Sequence, residues 1–377
     1  MKNMLRRRRG PRVVDPRRRR RREPLSPDVG GQRLESRAKE TDVVLHIGLH
    51  KTASSYIQGV LAACRDDLRS EGVLYPRTGI VDKGSTSTRE GAGSGHGLLS
   101  RRGRHRVLQA RLLGELEESV PTVLISSEEF SREGDTPTPE KLLDRFRPFR
   151  SVKVVVVLRR QDDWIESFYK QVVDQYGNFE TRSFEEFLEQ RGRHLFDFHT
   201  RFTPWRDLVG PENFHALSYD DLADGAAICR RLLEIAGVRG PLLDNLAKVS
   251  VPRYDSVRAI DTVGLRILNS HRLEDRDIRT GIARSIYDVA PAGDIELMTA
   301  DLREQIQQMC RPINQRIEED WFSEPVPGLR FEREPRASTK TPPTGLEMVD
   351  YVDKVIALCE EGLRATRPEA MWTGGGE

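Results

Sequence analysis

Between Asp42 and Gln58 the chain reads DVVLHIGLHKTASSYIQ: an apolar run, one glycine, a lysine and a cluster of hydroxyl side chains. Val43, Val44, Leu45 and Ile47 suit a strand buried on both faces. Gly48 allows a tight turn, and Thr52, Ser54 and Ser55 bring hydroxyls and backbone N–H groups to the start of the following helix. Such a helix start attracts anions, and Lys51 adds a positive charge on a flexible stem. Apolar strands continue to alternate with amphipathic helices as far as about Ala236, so the segment opens a single α/β unit.

A nucleoside-triphosphate P-loop needs G-x-x-x-x-G-K-[ST]. Here Gly48 lies three residues before Lys51, and no glycine immediately precedes the lysine. A second segment, VKVVVVLRRQDDWIESFYKQ, sharpens the distinction. Val152 to Leu158 form another buried strand with Arg159 at its carboxyl end, and Ser167 follows on an amphipathic helix that carries Trp164, Ile165 and Phe168. A Walker B strand would end in an aspartate to organise Mg²⁺, whereas two arginines repel a cation. Taken alone, Arg159 reads more readily as a solvated side chain than as a ligand.

The first segment resembles the 5′-phosphosulfate loop of sulfotransferases, G-x-x-K-T-G-T-T-x-[LI]-Q, through Gly48, Lys51, Thr52, Ile57 and Gln58. Serines replace two threonines. Ala53 replaces a glycine, so that turn is expected in a conformation an L-residue tolerates. The resemblance implies that Gly48, Lys51, Thr52, Ala53, Ser54 and Ser55 hold the 5′ side of 3′-phosphoadenosine 5′-phosphosulfate (PAPS). It also implies that Arg159 and Ser167, at the family's spacing, grip its 3′-phosphate. NFHALSYDDLADG resembles the family's later strand and "YEDL" turn, although Ser218 or Asp220 serving as a helix N-cap explains it equally. GVLYP, SSEEF and a late helix near NQRIEEDWF extend the similarity over roughly residues 42 to 330, in the style of bacterial sulfotransferase-like proteins.

The expected fold is a three-layer, P-loop-like α/β domain with a mostly parallel central sheet and a helical C-terminal elaboration. Val257 to Leu268 and Ile295 to Trp321 carry the helical periodicity. The expected divisions are a disordered arm over residues 1–40, the α/β domain over 41–330, and a C-terminal loop and helix over 331–377. The arm contains 15 basic and 5 acidic side chains, net +10, which leaves −8 for the rest of a chain whose total is +2. An arginine-rich arm can hold nucleic acid or an anionic membrane, but it is more often a solvated extension, or sequence upstream of the true start. No apolar signal region follows the arginines and no run approaches membrane-spanning length, which points to a cytoplasmic protein. Cys64, Cys229, Cys310 and Cys359 lack metal-ligand spacing and read as buried thiols; no metal is expected.

Sulfuryl transfer requires positioning, stabilisation of the leaving phosphate and a base for the acceptor. Lys51 and the loop amides meet the first two needs. The base has two candidates. His96 lies in the glycine-rich GAGSGHGLLS, a possible mobile loop over the donor, or simply an exposed loop histidine. Glu128 lies in VLISSEEF at a strand end, where open α/β sheets form their ligand crevice. It can equally cap the next helix or pair with Arg160. Arg160 itself extends the anion site or pairs with Asp162 or Asp163, Trp164 and Phe168 read as core, and Phe331 to Pro343 reads as a polar linker or a loop over the nucleotide. The expected activity is a PAPS-dependent sulfotransferase acting on a glycan, lipid or small-metabolite hydroxyl or amine. The alternatives are a P-loop kinase or NTPase, and an inactive nucleotide- or nucleic-acid-binding protein. Oligomeric state has no signature in the sequence.

Overall fold

Asp42–His46 (β1), Val73–Leu74 (β2), Thr122–Ser126 (β3), Ser151–Leu158 (β4) and Phe214–Ser218 (β5) form one five-stranded sheet in the order β2-β3-β1-β4-β5. Every pairing is parallel. These coordinates come from a computed structural model that describes residues 29–80, 95–103, 105–116, 120–132, 136–222, 224–251, 256–333 and 341–366. β1 lies between β3 and β4, with His46 opposite both Ser126 and Val155. The carboxyl ends of these three strands therefore open onto one edge, where chain segments distant in sequence meet.

Alternation along β1 divides the core into two layers. Val43, Leu45 and Ile47 enter a large cluster with Trp164, Phe198 and Phe202, while Val44 enters a smaller one with Ile57, Leu61 and Leu124. Strands buried on both faces explain the continuous apolar runs in the sequence.

The helices are Val29–Ala38 (α1), Ser54–Ala63 (α2), Arg65–Ser70 (α3), His105–Gly114 (α4), Pro139–Leu143 (α5), Gln161–Asp174 (α6), Phe184–Phe196 (α7) and Phe198–Val209 (α8). They continue as Gly225–Ile235 (α9), Pro241–Asn245 (α10), Ala259–Ser270 (α11), Arg276–Val289 (α12), Ala300–Trp321 (α13) and Gly345–Thr366 (α14). α2, α3, α9 and α10 cover the smaller core, while α6 to α8 and α11 to α14 cover the larger one. The expected three-layer α/β fold with a helical C-terminal region is what the chain adopts.

Several boundaries differ from expectation. Residues 29–38 of the supposed arm are helical: Ala38 is fully buried, its carbonyl accepts the Arg150 N–H at 3.1 Å, and Arg37 Nη1 donates to the Leu116 carbonyl at 2.7 Å. The average charge of the first forty residues hid this short segment; the arginine blocks of residues 6–9 and 17–22 lie outside the described residues. α13 starts at Ala300 rather than Ile295 because the Thr299 side chain caps it, accepting from Leu302 N. Asp224, not Ser218 or Asp220, caps α9, taking the Ala227 N–H at 2.8 Å. α14 buries Tyr351, Val355 and Cys359 in the large core. All four cysteines are buried thiols, as expected. Among the described residues no helix is long and apolar enough to cross a membrane.

Candidate functional site

The β1 ladder continues past the strand into the loop, with Leu49 N donating to the Val157 carbonyl at 3.1 Å and Val157 N to the Gly48 carbonyl at 2.6 Å. The chain then turns sharply: Lys51 has φ 62° and Ala53 φ 63°, both left-handed. An L-residue meets its own carbonyl in that region at a cost of roughly 1–2 kcal/mol. Ala53 therefore does not adopt the conformation an L-residue tolerates that was expected of it; the turn keeps a glycine-like shape. Thr52 Oγ1 and Ser54 Oγ both donate to the Leu49 carbonyl, at 2.7 and 3.1 Å, and brace the turn from within. Ser55 is exposed. The first-turn N–H groups of α2 have no side-chain cap at Ala53, and half-buried Lys51 lies two residues before Ala53.

Arg159 ends β4 and is 8 % exposed. Its Nη1 lies 3.3 Å from the Lys51 carbonyl and 3.4 Å from Ser167 Oγ, while its Nε is buried and has no hydrogen-bond partner among the described residues. The guanidinium carbon stands 5.0 Å from the ring centre of Tyr219, just past β5. Loop, strand end and helix thus meet at one cationic point. The eight-residue spacing suggested this convergence; the part played by Tyr219 was missed, although it stands in the YDDL turn.

Arg160 takes the pairing role. It is 1 % exposed and grips Asp162 with Nε and Nη2, each at 2.7 Å. Arg303 of α13 bridges Asp162 and Asp163 at 2.8 Å each. Burial disfavours charge on Arg160, but the Asp162 hydrogen bonds and negative charge overcome it, so the guanidinium titrates above its usual range. The Arg160 N–H is held by Asp220 at 2.8 Å, the Arg160 ring contact is Phe331, and its Nη1 donates to the Arg333 carbonyl. The remainder of the expected loop, residues 334–340, lies outside the described residues. Trp164 is core as expected, stacked on half-buried Phe168 with centroids 5.0 Å apart, and its Nε1 donates to the His50 carbonyl at 2.9 Å.

Glu128 stands just past β3, against the loop. A Cβ at Gly48, whose φ is 103°, would fall 3.0 Å from both Cα and Cβ of Glu128, so only glycine fits there. Gln58 Nε2 donates to Glu128 Oε2 at 2.7 Å. The resemblance of the loop included Gln58 without giving it a role.

His96 is not a mobile base. It is fully buried: Ser126 N donates to Nδ1 at 3.1 Å, which leaves the proton on Nε2 to donate to the Pro76 carbonyl at 3.0 Å. Both nitrogens are engaged by backbone, and burial pushes its pKa down to about 4. A buried imidazole with no spare lone pair knits the 95–100 segment to the sheet and cannot take a proton from an acceptor. His50, overlooked between Gly48 and Lys51, is the histidine within the loop itself. Burial lowers its pKa while Glu128 and Glu129 oppose that shift, and its ring lies 6.2 Å from that of Phe168. His46 is fully buried, bonded to Ser126 Oγ at 2.8 Å and pushed down to about 4 by burial.

The arrangement offers two cationic anion positions, the α2 start with Lys51 and the Arg159–Ser167 pair, with a carboxylate beside the first. Among the described residues no group of His, Cys, Asp and Glu is placed to hold a metal ion. No family model matches the chain, and no curated protein matches its sequence.

Proposed function

We propose that the protein is a sulfotransferase that moves a sulfuryl group from PAPS to a hydroxyl or amine of a glycan, lipid or small-molecule acceptor. The observation that carries this reading is the meeting of Arg159 Nη1 with both Ser167 and the Lys51 carbonyl. Two separate anion positions a short distance apart match a donor that bears phosphate groups on both its 3′ and 5′ sides better than they match a linear triphosphate chain. A kinase or NTPase reading is further weakened at the end of β4, where Arg159 and Arg160 stand in place of a metal-organising aspartate.

In this mechanism the acceptor oxygen or nitrogen attacks sulfur as the bond from sulfur to the bridging phosphate oxygen breaks. Lys51 and the α2 N–H groups receive the charge that develops on that oxygen, and Glu128 takes the acceptor proton. Arg159 and Ser167 hold a 3′-phosphate that does not change. Replacing Lys51 by Ala should therefore lower turnover of PAPS roughly a hundredfold at saturating donor, with a smaller effect on affinity for adenosine 3′,5′-bisphosphate. Full turnover by Lys51→Ala would leave the loop as a docking site and favour the inactive-binder alternative.

A further inference from the structure

Gln58 lies in the second turn of α2 and is 1 % exposed, yet its amide is committed to one partner, Glu128 Oε2, at 2.7 Å. On the other side of the amide lies Gly95. A Cβ there would fall 2.5 Å from Oε1, 2.6 Å from Cδ and 2.7 Å from Nε2 of Gln58, so the backbone of residue 95 presses directly on the amide. Beyond Glu128 lies Gly48, where an added Cβ would fall 3.0 Å from both Cα and Cβ of Glu128. Gly95, Gln58, Glu128 and Gly48 therefore form one close-packed stack with a glycine at each end. His96, anchored to Pro76 and Ser126, fixes the segment that carries Gly95.

We infer that Gln58 is a positioning residue for the acceptor base, and that Gly95 holds Gln58 in the pose that orients Glu128 against the donor loop. The inference rests on the sulfotransferase reading. The physical reason is shared architecture: the N-terminus of α2 faces the donor, and one turn along the same helix Gln58 grips the base. At 1.5 Å of rise per residue, Ser54 and Gln58 are about 6 Å apart along the axis. One rigid helix thereby sets the spacing between the leaving phosphate and the base, the kind of placement in which small displacements cost large factors in rate. A Gln58 that served only as packing would affect folding or donor binding rather than turnover of bound donor.

The test uses the full chain with PAPS and water as acceptor. Water oxygen bonds to sulfur, the bridging S–O bond breaks, adenosine 3′,5′-bisphosphate leaves with the electron pair, and Glu128 takes the water proton. Gln58→Met and Gly95→Ala should each bind adenosine 3′,5′-bisphosphate within about threefold of the wild type yet turn donor over roughly tenfold or more slowly. The double variant should be little worse than either single one, because both act through the same contact. If Gln58→Met does not fold, Gly95→Ala supplies the same comparison. Wild-type turnover in either folded variant, or full additivity, overturns the inference alone. Failure of the wild type to bind adenosine 3′,5′-bisphosphate overturns the functional reading beneath it, and a wild type that binds donor but does not turn it over removes Glu128 as the base and this inference with it.

Discussion

Arg159 reaches forward to Ser167, eight residues on, with Nη1 3.4 Å from the serine Oγ, and the same nitrogen lies 3.3 Å from the Lys51 carbonyl. Contacts this long leave the guanidinium able to donate to a bound phosphate. Arg159→Ala should weaken binding of adenosine 3′,5′-bisphosphate by about 1.5–3 kcal/mol, the usual size of a charge-assisted hydrogen bond, as measured by calorimetry. Unchanged affinity would remove Arg159 from the site.

Ala53 holds a left-handed conformation at the entry to α2. Glycine removes the Cβ clash, so Ala53→Gly should raise the free energy of unfolding by roughly 1 kcal/mol despite a more flexible unfolded chain. Ala53→Val, β-branched in the same conformation, should lower it. Urea unfolding would check both, and a destabilised glycine variant would mean that the turn differs in solution.

The convergence of the β1–α2 loop with Arg159 and Ser167 was legible because its signals are local. A strand, a glycine and a lysine announce an anion loop, and an arginine with a serine eight residues later can converge wherever a strand runs into a helix. The surroundings of His96 were not legible for the opposite reason. His96 is settled by Pro76 and Ser126, 20 and 30 residues away, and a glycine-rich neighbourhood gives no sign that both ring nitrogens will be used by backbone. α12 was also missed: its sequence RDIRTGIARSIYDV is highly charged, and Arg279 is fully buried within it against Asn269. Charge is a poor guide where a helix face packs an arginine inward. The left-handed turn at Ala53 likewise runs against residue preference, braced by the hydroxyls of Thr52 and Ser54 on the Leu49 carbonyl.

His46 and His96 carry a consequence for stability. Burial holds both near 4 in the folded state, opposed by Glu128 at His46 and by the Pro76 and Ser126 carbonyls at His96, against an ordinary value of about 6.5. Between those values the unfolded chain binds protons that the folded chain refuses. Their contribution is therefore complete above about pH 6.5 and lost as pH falls toward 4. Urea unfolding at pH 7.5 and 5 should differ by a few kcal/mol, and His96→Gln should shrink the difference. A pH-independent stability over that range would contradict neutral burial of these rings.

The central claim is that the β1–α2 loop and the Arg159–Ser167 pair bind one nucleotide with phosphates on both its 3′ and 5′ sides. Differential scanning fluorimetry with adenosine 3′,5′-bisphosphate in the absence of metal tests it most directly. A ligand at a hundredfold its dissociation constant adds about 2.7 kcal/mol to the folded state, enough to move the melting temperature measurably. The account predicts a clear rise with adenosine 3′,5′-bisphosphate and a much smaller one with ATP and Mg²⁺; equal or greater stabilisation by ATP and Mg²⁺ would contradict it.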